Sequence, residues 1–253
     1  MRQRHHLLAP LVVSLLTLPA AQADGLSDLK AALSRLQGQT PLKATVDIKT
    51  WRKQGDGKDS DEQQGAVNLG IEDNGRGLQV IYGKEVLSRT DAEQQARIKD
   101  KKAKTPTLTA VRELDFAELK AMTSAAASLA RQIDDAIFKG ETADTYNGKP
   151  ARKLAFTSSI DKLPERDRKY IKEFNSQLDV WIAADGTPLA TRRSMKSSGR
   201  AFVVVSFESN SDLERVYTVA GDRLVLVRDE EKGSSSGAGE KQVYKTSMSL
   251  QVL

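Results

Sequence analysis

Apolar and polar positions alternate along most of this chain, and pairs of Gly, Asp and Asn punctuate the alternation. Between residues 175 and 228 the runs 178–183, 189–195, 201–207, 213–219 and 224–227 are split by Asp185-Gly186, Ser198-Gly199, Asn210-Ser211 and Gly221-Asp222. Period-two runs separated by residues that tolerate positive φ predict an antiparallel meander with tight turns. Upstream, Leu42, Ala44, Val46 and Ile48 alternate with Lys43, Thr45, Asp47 and Lys49, a half-buried strand whose partner is Val67, Leu69 and Ile71. The polar stretch 53–64 between them reads as a mobile hairpin tip. Residues 78–82, 136–146 and 151–160 add strands, the last two joined by Asn147-Gly148. Tyr244, Thr246, Met248, Leu250 and Val252 alternate to the end as a strand that closes or edges the sheet. It follows residues 230–240, whose Gly and Ser content predicts a flexible loop.

Elsewhere the period changes to that of helices. Leu26, Leu29, Leu33 and Leu36 give 24–36 one apolar stripe, ended by Gly38 and Pro41. Residues 84–104 are rich in charge with few apolar anchors, a solvated helix followed by a loop to Pro106. Phe116, Leu119, Ala126, Leu129 and Ile133 predict a second packed helix over 115–133, and 162–174 a short connecting one. About ten strands joined as hairpins form a sheet large enough to curl. The expected fold is therefore α+β: a large curled, half-barrel-like antiparallel sheet with helices packed on its concave side. It forms a single domain over 24–253, with a helical insertion at 84–133.

The first 23 residues stand apart. Arg2, Arg4, His5 and His6 precede an apolar run from 7 to 18, and Ala21-Gln22-Ala23 is a small-x-small cleavage signature. This is the pattern of a secretory signal peptide, its apolar part falling short of the ~20 residues that span a bilayer. The mature chain is expected in the periplasm, soluble and without stable membrane insertion. Cleavage also removes the two histidines, and the sequence has no cysteine. Nucleophilic Ser-His-Asp or Cys-His arrangements and His/Cys zinc sites are then excluded, as are disulfides. Taking Arg2 and Arg4 from the 39 basic residues leaves 37 against 34 acidic, a net charge of +3. So mild a balance does not point to nucleic acid. No metal, cofactor or catalytic residue is expected; carboxylate pairs such as Asp134-Asp135, and Ser-Lys spacings such as Ser194 and Lys196, carry only weak signals for an enzyme.

The opening helix Leu26-Ser27-Asp28-Leu29-Lys30-Ala31-Ala32-Leu33, the strand Leu42-Lys43-Ala44-Thr45-Val46 and the late hairpin from Leu178 through Asp185-Gly186 to Pro188-Leu189 together resemble the periplasmic outer-membrane lipoprotein-carrier family, which comprises the lipoprotein chaperone and its receptor (LolA/LolB-like). The resemblance implies an unclosed, curled sheet with helices in its mouth that shelters acyl chains.

The expected function is a soluble periplasmic binding or carrier protein, non-catalytic, holding a lipid or other apolar group. The candidate lining is Val46, Ile48, Leu69, Leu154, Phe156, Val180, Ile182, Val203, Val205, Phe207 and Met248, residues that equally suit a solid core. Arg193 alternates with Leu189, Thr191 and Met195; facing inward it needs a partner or a polar ligand, unless it marks a bulge or edge. Trp181 is either a surface cover or part of a ligand wall. The alternative is a ligand-free structural protein that docks on a cell-envelope partner through its sheet edge or its exposed basic helix. The cluster Arg97, Lys99, Lys101, Lys102 and Lys104 reads either as an anionic-lipid or polyanion patch or as a solvated face beside Asp100.

Overall fold

Ten strands pair antiparallel in one open sheet: β1 (Leu42–Gln54), β2 (Asp61–Asp73), β3 (Leu78–Ile81), β4 (Ile137–Tyr146), β5 (Lys149–Thr157), β6 (Ile171–Ile182), β7 (Pro188–Ala201), β8 (Val205–Ala220), β9 (Arg223–Gly237) and β10 (Glu240–Val252). Their order is β3-β2-β1-β10-β9-β8-β7-β6-β5-β4, so β3 and β4 are the free edges. The computed structural model describes residues 24–57, 60–201 and 205–253; the expected signal peptide and Val203 lie outside them. Among the described residues six α-helices complete the fold: α1 (Gly25–Arg35), α2 (Lys84–Lys99), α3 (Pro106–Arg112), α4 (Phe116–Thr123), α5 (Ala126–Asp134) and α6 (Glu165–Arg168). The class is the expected one, a curled antiparallel sheet with helices on its concave side.

The turns form where chain chemistry permits positive φ. Asn147 and Gly148 take φ of 50° and 74° between β4 and β5, the two-residue geometry that matches strand twist. Gly186 turns β6 into β7 at φ 82° and lies so close to α1 that a Cβ would stand 2.3 Å from the Asp28 carbonyl oxygen.

Several expectations need correction. Ser198-Gly199 and Asn210-Ser211 are not turns: β7 and β8 run straight through them, with Gly199 opposite Phe207 and Ser211 opposite Met195. Residues 230–237 are not a loop but the second half of β9, paired with β8 on one side and β10 on the other. β10 is neither an edge nor a closure; it lies between β1 and β9 and joins the first three strands to the meander. The hairpin tip expected over 53–64 shrinks, since Gln54 already pairs with Asp61. The helix expected over 115–133 is broken between α4 and α5, where the Ala125 N–H leaves the helix and donates to the Leu224 carbonyl of β9 at 2.8 Å. The connecting helix over 162–174 reduces to α6, and the chain enters β6 at Ile171. A further helix, α3, begins at Pro106, where the expected loop ends, as a proline at the first helical position allows.

The start of β9 is held from both sides. Leu224 N–H donates to the Leu36 carbonyl after α1, and Gln37 bridges to Arg223. Arg223, 2% exposed, lies past the last β9–β10 pair, Arg228 opposite Ser249, and its guanidinium reaches Asp73 at the end of β2, Nη1 to Oδ2 at 2.7 Å.

Candidate functional site

The concave face divides into an apolar wall and a polar belt. Strand alternation places Val46 and Ile48 of β1, Leu69 of β2, Met248 of β10, Leu154 and Phe156 of β5, and Val180 and Ile182 of β6 on the wall, each 4% exposed or less. Register brings them together in rows: Val46 opposite Leu69 and Ile48 opposite Met248 on one flank, Leu154 opposite Val180 on the other. Eight of the expected residues therefore share one surface. Val205 and Phe207 do not join it. They lie at the distal end of the β7–β8 hairpin, where Phe207 packs beside Gly199 and Gly237.

The wall is met by helix side chains. Leu29 and Leu33 of α1, Ala110 of α3, Leu119 and Met122 of α4, and Leu129 and Ile133 of α5 join it in one buried cluster. The helices approach closely because the sheet gives way to them. At Gly65 a Cβ would stand 2.7 Å from the Ala110 backbone nitrogen, so only glycine lets α3 settle there. Beside that contact, a hollow of about 20 Å³ is lined by Thr50, Arg52, Gln63, Thr109, Glu113 and Tyr244. It is the size of a single water, and the buried Thr50 hydroxyl has no hydrogen-bond partner. A hollow of about 420 Å³ lies on the opposite, convex face between Trp51, Lys245, Lys232 and Glu214. It is not part of the wall.

The covering helices have 7, 8 and 9 residues in α3, α4 and α5. Helices so short are unstable alone and exist by virtue of what they sit on. α3 has a second hold: the Glu93 carboxylate of α2 accepts from the backbone N–H groups of Thr107 and Leu108 at 3.0 and 2.9 Å. A carboxylate at a helix N-terminus satisfies donors that have no partner within the helix.

Past the edge of α4 the same face turns polar. Arg215 Nε donates to Asp229 Oδ2 at 2.9 Å, with side-chain exposures of 15% and 3%. Tyr244 donates to Glu231 at 3.0 Å, and the buried Tyr217 and Thr191 hydroxyls share a hydrogen bond of 3.1 Å. Burial pushes the Asp229 carboxyl up despite the Arg215 guanidinium beside it. Burial, helped by the Asp229 charge, also raises Glu118 of α4. The Tyr244 phenol is pushed up to about 12 by burial and by Glu231. Arg193 is half-buried on this belt, opposite Leu178 and Leu213, and its buried Nε has no hydrogen-bond partner. It sits in regular register, so the bulge and edge readings fall away. Trp181 is on the other face, where its indole N–H donates to Asp144 at 2.9 Å as a surface cover. Of the belt, Arg193 was read from the sequence as an inward charge, and Asp229 and Glu231 only as part of the carboxylate run Asp229-Glu230-Glu231. The alternation Leu213, Arg215, Tyr217 would have found Arg215, whereas Glu118 shows no signal in its own helix.

No family model matches the chain, and no curated protein does. Among solved structures it is similar to a LolA superfamily protein from Nitrosomonas europaea. The two are 13% identical over 90% of this chain and 94% of that one, with a TM-score of 0.26. The architecture described above stands on the strand register of this chain. Among the described residues, no helix is long and apolar enough to cross a membrane, and no cluster of three or more His, Cys, Asp or Glu could hold a metal.

Proposed function

We propose that this protein is an exported, non-catalytic carrier that shelters an apolar chain between its curled sheet and the helices α3 to α5. The observation that carries this reading is the division of one concave face. An apolar wall is covered by α1 and by three helices of nine residues or fewer, and an ion-paired belt lies on the same face. An amphiphile fits that arrangement with its chain on Val46, Leu69, Leu154 and Val180 and its head near Arg193 and Arg215. Because the wall and helices already pack together, the guest enters by taking the place of helix side chains such as Met122 and Leu129. The lost helix contacts are then replaced by chain contacts of similar area, which keeps the exchange nearly balanced.

The filled interior also favours a second reading, a ligand-free protein that docks on a cell-envelope partner. Native mass spectrometry of the protein purified from its own source separates the two. The carrier predicts a co-purifying acyl lipid that is lost or weakened when Val180 is replaced by Glu on the wall. Repeated spectra of the bare chain, with no uptake of added fatty acid, count against it.

A further inference from the structure

The corner where α2 passes into α3 lies outside the apolar wall and carries a dense run of cations. No residue of α2 is buried. Arg97, Lys99, Lys101, Lys102, Lys104 and Arg112 are all exposed, and none of them forms an ion pair among the described residues. The acidic residue within the stretch, Asp100, turns its carboxylate to the Lys102 backbone N–H at 2.9 Å. Amid these cations Ile98 is 70% exposed. Between the two helices Ile98 and Leu108 floor a hollow of about 240 Å³ with Arg97 and Arg112 on its rim.

We propose that this corner docks on an anionic phospholipid surface. Six unpaired cations repel one another and gain most from a surface dense in negative charge. Charge alone would suit any polyanion; the exposed isoleucine and the apolar floor between two guanidiniums favour a lipid boundary. Phosphates meet the rim there, and Ile98 enters the acyl layer as an interfacial side chain does. Nucleic acid fits worse, because no aromatic side chain is interleaved with the cations for bases to stack on.

The test is flotation of the purified protein with two vesicle preparations, phosphatidylcholine alone and phosphatidylcholine mixed with phosphatidylglycerol, across a series of salt concentrations. Binding is expected only to the mixed vesicles and should fall as salt rises. Each cation near such a leaflet contributes roughly fivefold in affinity, so Lys101→Gln/Lys102→Gln/Lys104→Gln together should lose on the order of 100-fold. Ile98→Ser leaves the charge intact and should lose about tenfold through the apolar area kept from the bilayer. All four side chains are exposed, so unchanged melting temperatures will show that the variants fold. Equal binding to neutral vesicles, or none to the mixed ones at low salt, overturns the proposal. So does a triple variant that binds as wild type. Loss of binding in the triple variant, together with flotation of the wild type that a soluble polyphosphate competes away as well as added anionic vesicles do and that Ile98→Ser leaves intact, assigns the corner to a soluble polyanion and overturns it too. The assay reads the corner without any guest, so it stands or falls separately from the carrier reading.

Discussion

Replacing Arg223 by Met keeps the aliphatic stem and deletes the guanidinium that ties β9 to the end of β2. The side chain is 2% exposed and its partner Asp73 15% exposed, at 2.7 Å. Removing one member of a buried pair costs about 3–5 kcal/mol, because the remaining charge is left without its counterion. Asp73 keeps one backbone donor, Gly75 at 3.1 Å, and some access to water, so the lower end of that range applies, about 3 kcal/mol. For a chain of this size the melting temperature should drop by roughly 10 °C. Urea denaturation followed by circular dichroism measures the loss. Asp73→Asn and the double variant complete a cycle with an expected coupling of at least ~1 kcal/mol. The pH dependence gives an independent check. The hydrogen bond from Arg223, opposed by burial, holds the Asp73 carboxyl below its ordinary 3.8. The unfolded chain therefore binds its proton first as pH falls. The contribution of the pair is complete above 3.8 and drains away as pH drops through the lower folded value, so the gap between wild type and Arg223→Met should narrow there. A cost under ~1 kcal/mol, or strictly additive single variants, would refute the view that this pair ties the start of β9 to the end of β2.

Glu118→Gln should raise stability at neutral pH. Burial first, then Asp229, lifts the Glu118 carboxyl above 4.5, so the folded protein holds its proton longer and loses stability as pH rises through that window. The amide removes that slope, and the two proteins should melt together below pH 4.5, a comparison made by calorimetry across pH. Gly148→Ala should cost about 1 kcal/mol, since its φ of 74° is strained for alanine but open space surrounds the Cβ. Gly186→Ala should cost distinctly more in the same urea titrations, because its Cβ would also collide with the Asp28 carbonyl. Leu154→Ala, at a site with no exposure, should lose about 2–5 kcal/mol and open an apolar void. Uptake of a small apolar probe such as xenon, seen as a local chemical-shift change, should follow.

The strands that face the helices were legible because half of each is dry. Val46, Ile48, Val180 and Ile182 are spaced by two, and that spacing fixes both element and face. Where the long hairpins extend past α4, both faces meet polar surroundings and the alternation disappears. Glu230, Glu231, Lys232 and the serines after them look like a linker, although every one pairs with a neighbouring strand. Glycine misled for a related reason. Gly199 read as a turn residue and Gly233 as part of a flexible loop, but each has room only for hydrogen at its α-carbon: a Cβ would stand 2.0 Å from the Tyr170 carbonyl in one case and 2.6 Å from the Tyr244 hydroxyl in the other. The wall of the candidate site was visible for the same reason the strands were. The belt was hidden because Asp229, Glu231 and Tyr244 reach it only through the sheet's curl and the position of β10, neither of which a local pattern encodes.

Glu93 makes a handle of the outermost helix. Its carboxylate grips the first turn of α3, whose other side rests on the backbone at Gly65. A pull or tilt applied to α2 from outside is passed through those two hydrogen bonds to the segment lying deepest against the sheet, while the ladder of strands stays as it is. The interior of this protein can thus be addressed from its rim, by a lever one side chain long.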